Sequence, residues 1–250
     1  MTAQTAEKQF LVEVHQSLSA IPAQDWDACA NPPGQPHNPF VRHAFLHALE
    51  KSGSAVGETG WLGQHLQLRQ DSGETLAVMP CYLKNHSQGE YVFDYGWADA
   101  IHRAGGRYYP KLQVSIPFTP ASGPRVLTAA RGNASTVRAA MGNAAAQLCD
   151  KLAASSVHMT FLDKAEYDDF GEQGWLQRND TQFHWHNDHF SSFDQFLGCL
   201  SSRKRKNIRK ERKAVQEAGL EIVRLTGSDI TEEHWDHFYR FYLDTGGRAL

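Results

Sequence analysis

Hydrophobic and polar residues alternate in a series of short segments along the chain. This two-residue period is typical of β-strands with one buried face, as in QFLVEVHQSL at residues 9–18. The segments HLQLRQ and TLAVMPCYLK lie on either side of a DSGE turn and predict an antiparallel hairpin. Strands are predicted near residues 10–18, 64–70, 75–84, 125–129, 156–162 and 179–186, with a further strand at 220–227.

Other segments carry hydrophobic residues three or four positions apart, which is the spacing of an amphipathic helix. Helices are predicted around Ala23–Ala30, from Pro39 onward, and at 134–154, Lys164–Phe170, 201–219 and 231–245. A helix pair followed by a hairpin, with further strands and helices in alternation, favours an α+β fold. We expect a mixed, largely antiparallel sheet flanked by helices.

The composition is that of an ordinary globular protein, since 41% of the 250 residues are hydrophobic and 21% are charged. This length suits one large domain, or one domain and part of another. No apolar run approaches the ~18 residues of a membrane span, and the N-terminus lacks the pattern of a secretory signal. Four widely spaced cysteines argue for reduced thiols rather than disulfides or a zinc site. We therefore expect a cytoplasmic protein.

Positive charge is concentrated in one segment. Eight of the eleven residues from Arg203 to Lys213 are basic, whereas the rest of the chain has 17 basic and 27 acidic residues. Ser201 or Ser202 can cap this helix, and Gly219 can terminate it. The charge predicts a site for a phosphate-bearing ligand, a nucleotide sugar or RNA, and the alternative is a solvated surface helix. The cations expected to bind are Arg203, Lys204, Arg205, Lys206, Arg209 and Lys210.

Residues 91–124 are rich in aromatic residues, glycine and proline, which predicts little regular structure and a wall for a cleft. Asp94 lies among these rings, where partial desolvation would let its carboxylate act as a base. The alternative is that Asp94 caps a turn. The residues expected to bind the acceptor are Tyr95, Trp97, Tyr108, Tyr109, Phe118 and Thr119.

Three histidines, His184, His186 and His189, invite a metal interpretation. On a strand the first two would share one face, as some zinc ligands do, but this spacing is no recognised zinc signature. Histidines that face solvent or a cleft are the favoured interpretation, and we predict no metal site.

The nucleotide-binding patterns GxxxxGK[ST] and GxGxxG are absent, as is the GxSxG nucleophile elbow. Cys199 precedes the basic segment, whose charge can lower a thiol pKa, but a small buried thiol is the favoured interpretation. The sequence therefore predicts no activated protein nucleophile.

Four segments together resemble the FemAB-like acyltransferases of Gram-negative bacteria, which are usually labelled peptidoglycan biosynthesis/recognition or GNAT-like proteins. They are FVRHAFLHALE (40–50), FTPASGPRVL (118–127), QFHWHN (182–187) and SSRKRKNIRKERKAVQEAG (201–219). The resemblance implies two GNAT-like domains in tandem, with a substrate groove between them. It also implies a basic helix that matches residues 203–213 and, loosely, an aspartate that matches Asp94.

From this resemblance we expect a first GNAT-like domain over 1–190, a basic connecting helix over 191–219, and the start of a truncated second GNAT-like domain over 220–250. The acyl-CoA loop pattern of GNAT enzymes is not found, because Arg131-Gly132-Asn133 does not complete it. We expect this form of the chain to bind no cofactor, and expect acyl-CoA or aminoacyl-tRNA as the donor substrate.

Two functions remain open at this point. The leading hypothesis is the first half of an N-acyl- or aminoacyl-transferase that acts on an amine of an anionic, cell-wall-precursor-like acceptor. Direct aminolysis needs positioning, a base and donors for an oxyanion, but no protein nucleophile. The alternative is a non-catalytic module that binds RNA or an anionic ligand through the basic helix. The anionic partner would be a nucleotide-linked precursor, CoA or tRNA.

Overall fold

The structure of the protein, a computed structural model, describes residues 11–129 and 134–247. The chain divides into two compact units, one up to Asn179 and one from Asp180 onward. The Arg131-Gly132-Asn133 segment, which does not complete the acyl-CoA loop pattern, lies outside the described residues. The assignment of two GNAT-like domains, with a boundary near residue 190, stays a prediction.

The first unit contains eight strands and five α-helices among its described residues. The strands are β1 (Leu11–His15), β2 (Trp61–Gly63), β3 (His65–Arg69), β4 (Thr75–Met79), β5 (Cys81–Lys84), β6 (Lys111–Val114), β7 (Leu127–Thr128) and β8 (Val157–Met159). The helices are α1 (Ala23–Ala30), α2 (His43–Lys51), α3 (Tyr95–Arg103), α4 (Ala134–Lys151) and α5 (Lys164–Glu172).

The strands form two four-stranded sheets, of order β1-β3-β4-β7 and β2-β5-β6-β8. All neighbouring strands are antiparallel except β6 and β8, which are parallel. This arrangement confirms the predicted α+β class and the largely antiparallel sheet flanked by helices.

The predicted strand 75–84 is split at Pro80, which separates β4 in one sheet from β5 in the other. Proline has no N–H to donate to a ladder, so the pairing changes there. The facing segment is interrupted at Gln64, which separates β2 in one sheet from β3 in the other. A Cβ on the preceding residue, Gly63, would lie 2.4 Å from the carbonyl oxygen of Gln16, so a larger side chain does not fit there.

The main core lies between the strands and α4. Leu66, Met79, Leu112 and Val114 from both sheets pack with residues of α4 such as Met141, and all five are fully buried. A second core lies on α1 and α2. Trp26 and Leu46 are fully buried there with Val78 of β4. The first sheet thus has a helix layer on each face, and α4 also covers one face of the second sheet.

The second unit has three described α-helices, α6 (Phe193–Cys199), α7 (Ser202–Glu217) and α8 (Glu232–Gly247). The predicted basic helix is confirmed as α7, and Gly219 follows its last turn with a positive φ of 66°. Ser201 is the N-cap residue of α7, although its side chain makes no capping hydrogen bond.

Three predictions of local structure were wrong. Residues 91–124 contain the helix α3 and the strand β6, although little regular structure was expected there. Residues 179–186 and 220–227 are not strands. A strand is stable only when it pairs with a neighbour, and the described residues of the second unit contain no strand for either segment to join. Phe183, at 94% exposed, lacks the buried face that its alternation predicted.

In residues 11–129 and 134–247, no helix has both the length and the apolar character that crossing a membrane requires.

Candidate functional site

Strands β5 and β6 carry polar side chains on the face that points away from the main core. Lys84 lies opposite Lys111 across the two strands, and Tyr82 lies opposite Gln113. Such alternation usually marks a solvent-facing side, yet all four residues are completely buried. The segment that follows β5, residues 85–94, supplies the hydrogen-bond partners of the two lysines, and Gln113 donates to Thr160, so this face becomes a buried polar cluster.

Lys111 is at the centre of this cluster. Its Nζ donates to Ser87 Oγ at 2.9 Å, to Glu90 Oε2 at 2.8 Å and to Asp94 Oδ2 at 2.7 Å. These contacts use all three N–H groups of the ammonium. Both carboxylates are also buried. Their hydrogen bonds with Lys111 are charge-assisted and hold the segment 85–94 against the sheet.

The second buried lysine has a different environment. Lys84 Nζ lies 3.4 Å from the centroid of the Trp61 ring and donates to the carbonyl oxygen of Gln88 at 3.2 Å. Burial lowers the pKa of Lys84 to about 7, with the nearby charge of Lys111 acting in the same direction and Glu90 opposing it. Burial also raises the pKa of Glu90. Lys84 can therefore change its charge near neutral pH.

Asp94 lies in the buried cluster rather than among exposed rings. It is the N-cap residue of α3, although its side chain makes no capping hydrogen bond, and its Oδ2 accepts from Lys111 at 2.7 Å and from the Tyr108 hydroxyl at 2.6 Å. Burial raises the pKa of Asp94, but the hydrogen bonds from Lys111 and Tyr108 outweigh it and bring the pKa to about 2. A carboxylate with such a pKa is a weak base. These contacts favour an ion-pairing role over the predicted role of proton acceptor.

A cleft of about 680 Å³ lies beside this cluster, between α3 and the segments around residues 87 and 108. Its lining consists of His86, Ser87, Gln88, Tyr95, Gly96, Ala98, Asp99, His102, Gly106, Arg107, Tyr108 and Tyr109. Ser87 and Tyr108 also belong to the buried cluster, since each contacts Lys111 or Asp94. The cleft and the cluster therefore share a wall.

The structure brings only some of the predicted acceptor-binding residues together. Tyr95, Tyr108 and Tyr109 line the cleft. Trp97 is exposed on α3, and the Arg178 guanidinium lies 5.6 Å from its ring. The residues of the predicted acceptor site therefore do not all line one cleft, since Trp97, Phe118 and Thr119 are not part of its lining.

Phe118 and Thr119 lie elsewhere. The Phe118 ring packs against Trp61, with centroids 5.4 Å apart, and so covers the Lys84 side of the cluster. The Thr119 hydroxyl donates to the carbonyl oxygen of Pro117 at 3.0 Å. Gly89 permits this packing, because a Cβ there would lie 2.7 Å from the Phe118 ring.

The backbone around the cluster is strained at aromatic residues. Tyr91, Phe93 and Phe118 have φ values of 60°, 49° and 58°, a region that bulky residues seldom adopt. Strain of this kind costs about 1–3 kcal/mol per residue and is concentrated at functional sites. In the part of the chain that the structure describes, Glu90 Oε1, Gln113 Oε1 and Ser115 Oγ are buried without a hydrogen-bond partner. Such atoms indicate where polar groups of water or a ligand would fit.

His158 of β8 adjoins the same face, opposite Gln113. Its ring packs edge-to-face on Tyr108, and its Nε2 lies 2.8 Å from Ser156 Oγ. Burial, together with the charge of Lys111, lowers the pKa of His158 to about 4. His158 is therefore neutral at pH 7.

The six basic residues predicted to bind an anion all lie on α7 and fall on different faces. Arg205 donates to the carbonyl oxygen of Gly198 at 3.2 Å, and Arg209 pairs with Asp194 at 3.3 Å, so both side chains contact α6. Within the described residues no ion pair involves Arg203, Lys206 or Lys210, which share another face of the helix. Lys204 lies between these faces and is exposed.

The histidines do not form a strand pair. His184 and His186 lie in irregular structure with their rings stacked 6.1 Å apart, and His189 has a positive φ. The described residues contain no group of three or more histidine, cysteine or acidic side chains placed to hold a metal ion.

Sequence reasoning missed Ser87, Glu90, Lys84 and Lys111, which build the cluster. A signal was present, since KLQVS alternates around Lys111 and places Lys111, Gln113 and Ser115 on one face. Alternation alone does not distinguish a solvent-facing lysine from one covered by another segment.

The model of the FemAB-like family, described as peptidoglycan biosynthesis/recognition, matches residues 17–250. A solved ribosomal-protein-alanine N-acetyltransferase from Brucella melitensis biovar Abortus 2308 is similar at a TM-score of 0.38 and 10% identity, covering 71% of this chain and 99% of its own. A solved acetyltransferase from Trypanosoma brucei is similar at a TM-score of 0.39 and 10% identity, with the same coverage. No curated protein matches the sequence.

Proposed function

The chain belongs to the FemAB-like family, and we propose that it transfers an acyl or aminoacyl group to an amine of an anionic, cell-wall-precursor-like acceptor. The proposal rests on one observation, a family match over residues 17–250 that includes both the cleft and α7. The family description, peptidoglycan biosynthesis/recognition, supports a cell-wall precursor as the acceptor class.

The reaction is an aminolysis. The acceptor nitrogen attacks the carbonyl carbon of an ester or thioester, a C–N bond forms, and the C–O or C–S bond breaks. The nitrogen loses a proton, and the leaving oxygen or sulfur gains one. Because the attacking group belongs to the acceptor, the protein contributes position and hydrogen bonds rather than a nucleophile. This chemistry suits a cleft lined by tyrosines and backed by charged residues.

The donor would be acyl-CoA or aminoacyl-tRNA. Both carry phosphates, as does a nucleotide-linked acceptor, and the Arg203, Lys206 and Lys210 face of α7 offers charge for any of them. We place the acceptor in the cleft, where aromatic rings can stack on a sugar or peptide. That the cleft faces the basic helix stays a prediction.

The test is an assay of the purified chain with an acyl-CoA panel or charged tRNA and a UDP-linked muropeptide, read by mass spectrometry. We expect a new amide whose mass gain equals the transferred group, and no product when the acceptor amine is acetylated beforehand. Absence of an amide with every donor, from a protein that binds the muropeptide, would remove the enzymatic proposal.

That result would leave the second candidate, a non-catalytic module that binds RNA or another polyanion through α7. The exposure of α7 favours it, since this helix has no buried residue. The contacts of Arg205 and Arg209 with α6 make the other face, Arg203, Lys206 and Lys210, the better test of binding.

Replacing Arg203, Lys206 and Lys210 with alanine should weaken binding of a single-stranded RNA oligonucleotide and flatten its salt dependence. Each lost phosphate contact lowers the slope of log K against log salt by about 0.7, so the slope should fall by about 2. The measurement is fluorescence anisotropy between 50 and 200 mM salt. A matched control replaces the exposed Lys51, Lys151 and Lys164, which changes the net charge equally. Equal slopes in both triple variants would return α7 to the role of a solvated surface helix.

A further inference from the structure

A chain of hydrogen bonds joins the buried cluster to the cleft. Lys111 Nζ donates to Ser87 Oγ at 2.9 Å, and Ser87 Oγ lies 2.7 Å from the Tyr109 hydroxyl. Ser87 and Lys111 are buried, whereas Tyr109 is half-buried. Because Ser87 and Tyr109 both line the cleft, the chain begins at a buried cation and ends where a substrate would bind.

The cation fixes the direction of the first hydrogen bond. An ammonium has no lone pair, so Ser87 Oγ accepts from Lys111. A serine oxygen has a second lone pair, so the bond between Ser87 and Tyr109 can run in either direction. When Ser87 donates to the Tyr109 oxygen, the Tyr109 proton is available to a molecule in the cleft, and the charge of Lys111 strengthens this donor.

The other tyrosines of the cleft differ in this respect. The Tyr108 hydroxyl donates to Asp94 Oδ2 at 2.6 Å, so its proton is already used. Tyr95 lies on α3 and is 59% exposed, outside the buried cluster. Tyr109 thus combines a hydroxyl that is not bound to a carboxylate with a connection to Lys111 through Ser87.

We propose that the Tyr109 hydroxyl is the hydrogen-bond donor to the carbonyl oxygen of the acyl donor, with Ser87 and Lys111 as positioning residues. This inference rests on the proposed function. When the acceptor nitrogen attacks the carbonyl carbon, the C=O π pair moves onto oxygen, and Tyr109 donates to that oxyanion without giving up its proton. The C–O or C–S bond then breaks, and the proton lost by the nitrogen ends on the leaving oxygen or sulfur.

Turnover is the first test. Removing one oxyanion donor typically lowers kcat by about 10²–10³. We expect Tyr109→Phe to lower kcat by about 10²-fold with KM changed less than about threefold, and Ser87→Ala to lower kcat in the same way but less. Tyr91→Phe is the matched control, because it removes a hydroxyl from a nearby tyrosine that does not line the cleft. A Tyr109→Phe enzyme with wild-type kcat would overturn the proposal.

The second test does not depend on turnover. Methylphosphonate, a tetrahedral oxyanion, is titrated into protein labelled with ¹³C at the tyrosine Cζ atoms, and the Tyr109 resonance is assigned by its loss in Tyr109→Phe. We expect this resonance to shift on binding, and the Kd to rise about tenfold or more in Tyr109→Phe and Ser87→Ala but not in Tyr91→Phe. A Kd that is the same in all four proteins, or no binding by the wild type, would also overturn the proposal.

The two tests separate the two proposals. Methylphosphonate binding that depends on Tyr109, without amide formation from any donor, would support the assignment of the hydroxyl as an oxyanion donor and contradict the proposed transferase. Amide formation that is indifferent to Tyr109 would support the transferase and contradict this assignment.

Discussion

Replacing Lys111 with methionine is expected to lower the free energy of unfolding of the first unit by about 3–5 kcal/mol, the usual cost of removing one partner from a buried ion pair. Methionine has a similar length and keeps the packing, but it leaves the carboxylates of Glu90 and Asp94 buried without their cation. It also removes the donor to Ser87. Urea denaturation followed by circular dichroism measures this loss.

A second variant separates charge from packing. When Glu90→Gln and Asp94→Asn are added to Lys111→Met, no charge is left unpaired by the change, and we expect much of the lost stability to return. The control is Lys151→Met at the end of α4, where an exposed side chain should change stability by no more than about 0.5 kcal/mol. A loss below about 1 kcal/mol in Lys111→Met would contradict the buried ion-pair description.

Lys84→Met is expected to change how stability depends on pH. The ordinary pKa of lysine is 10.5, and burial lowers that of Lys84 to about 7 in the folded protein. Between these values the unfolded chain binds a proton that the folded chain does not, so the stability of the wild type rises with pH. The stability that depends on a neutral Lys84 is fully present above pH 10.5 and is lost progressively as the pH falls from there through about 7.

The comparison is made between wild type and Lys84→Met from pH 7 to pH 10. The wild type should gain stability relative to the variant by up to about 1.4 kcal/mol per pH unit, or about 4 kcal/mol over the range. The cysteines and tyrosines that titrate in the same range cancel in the difference between the two proteins. Lys151→Met again serves as the control and should parallel the wild type. Parallel curves for Lys84→Met would show that Lys84 keeps an ordinary pKa.

Much of the secondary structure follows from local sequence. The helices α1, α2, α4, α5 and α7 and the hairpin of β3 with β4 and β5 appear close to their predicted places. Helices depend on contacts between residues three or four apart, and the hairpin depends on the turn at residues 71–74. These interactions are complete within a short stretch of chain, so the sequence alone is enough to predict them.

Strand pairing was less predictable, because it depends on distant partners. Residues 179–186 have the alternation of a strand and yet are not one, whereas β2 is a strand of three residues with no clear pattern. β2 exists because it pairs with β5, from Trp61 opposite Lys84 to Gly63 opposite Tyr82. Hydrogen bonds between strands come from the partner, and the sequence of one segment does not specify it.

The sequence alone was enough to predict the basic helix α7 and to show the resemblance to the FemAB-like family. It also singled out Tyr95, Tyr108 and Tyr109, which line the cleft. Only the tertiary structure decided that Tyr109 connects to Lys111 through Ser87, that Asp94 is an ion-pair partner, and that Lys84 is buried beside Trp61. Position in the chain does not reveal whether a lysine on an alternating strand faces water or another segment. Here residues 85–94 fold back over β5 and β6, and that covering changes the charges, pKa values and hydrogen bonds of the residues beneath it.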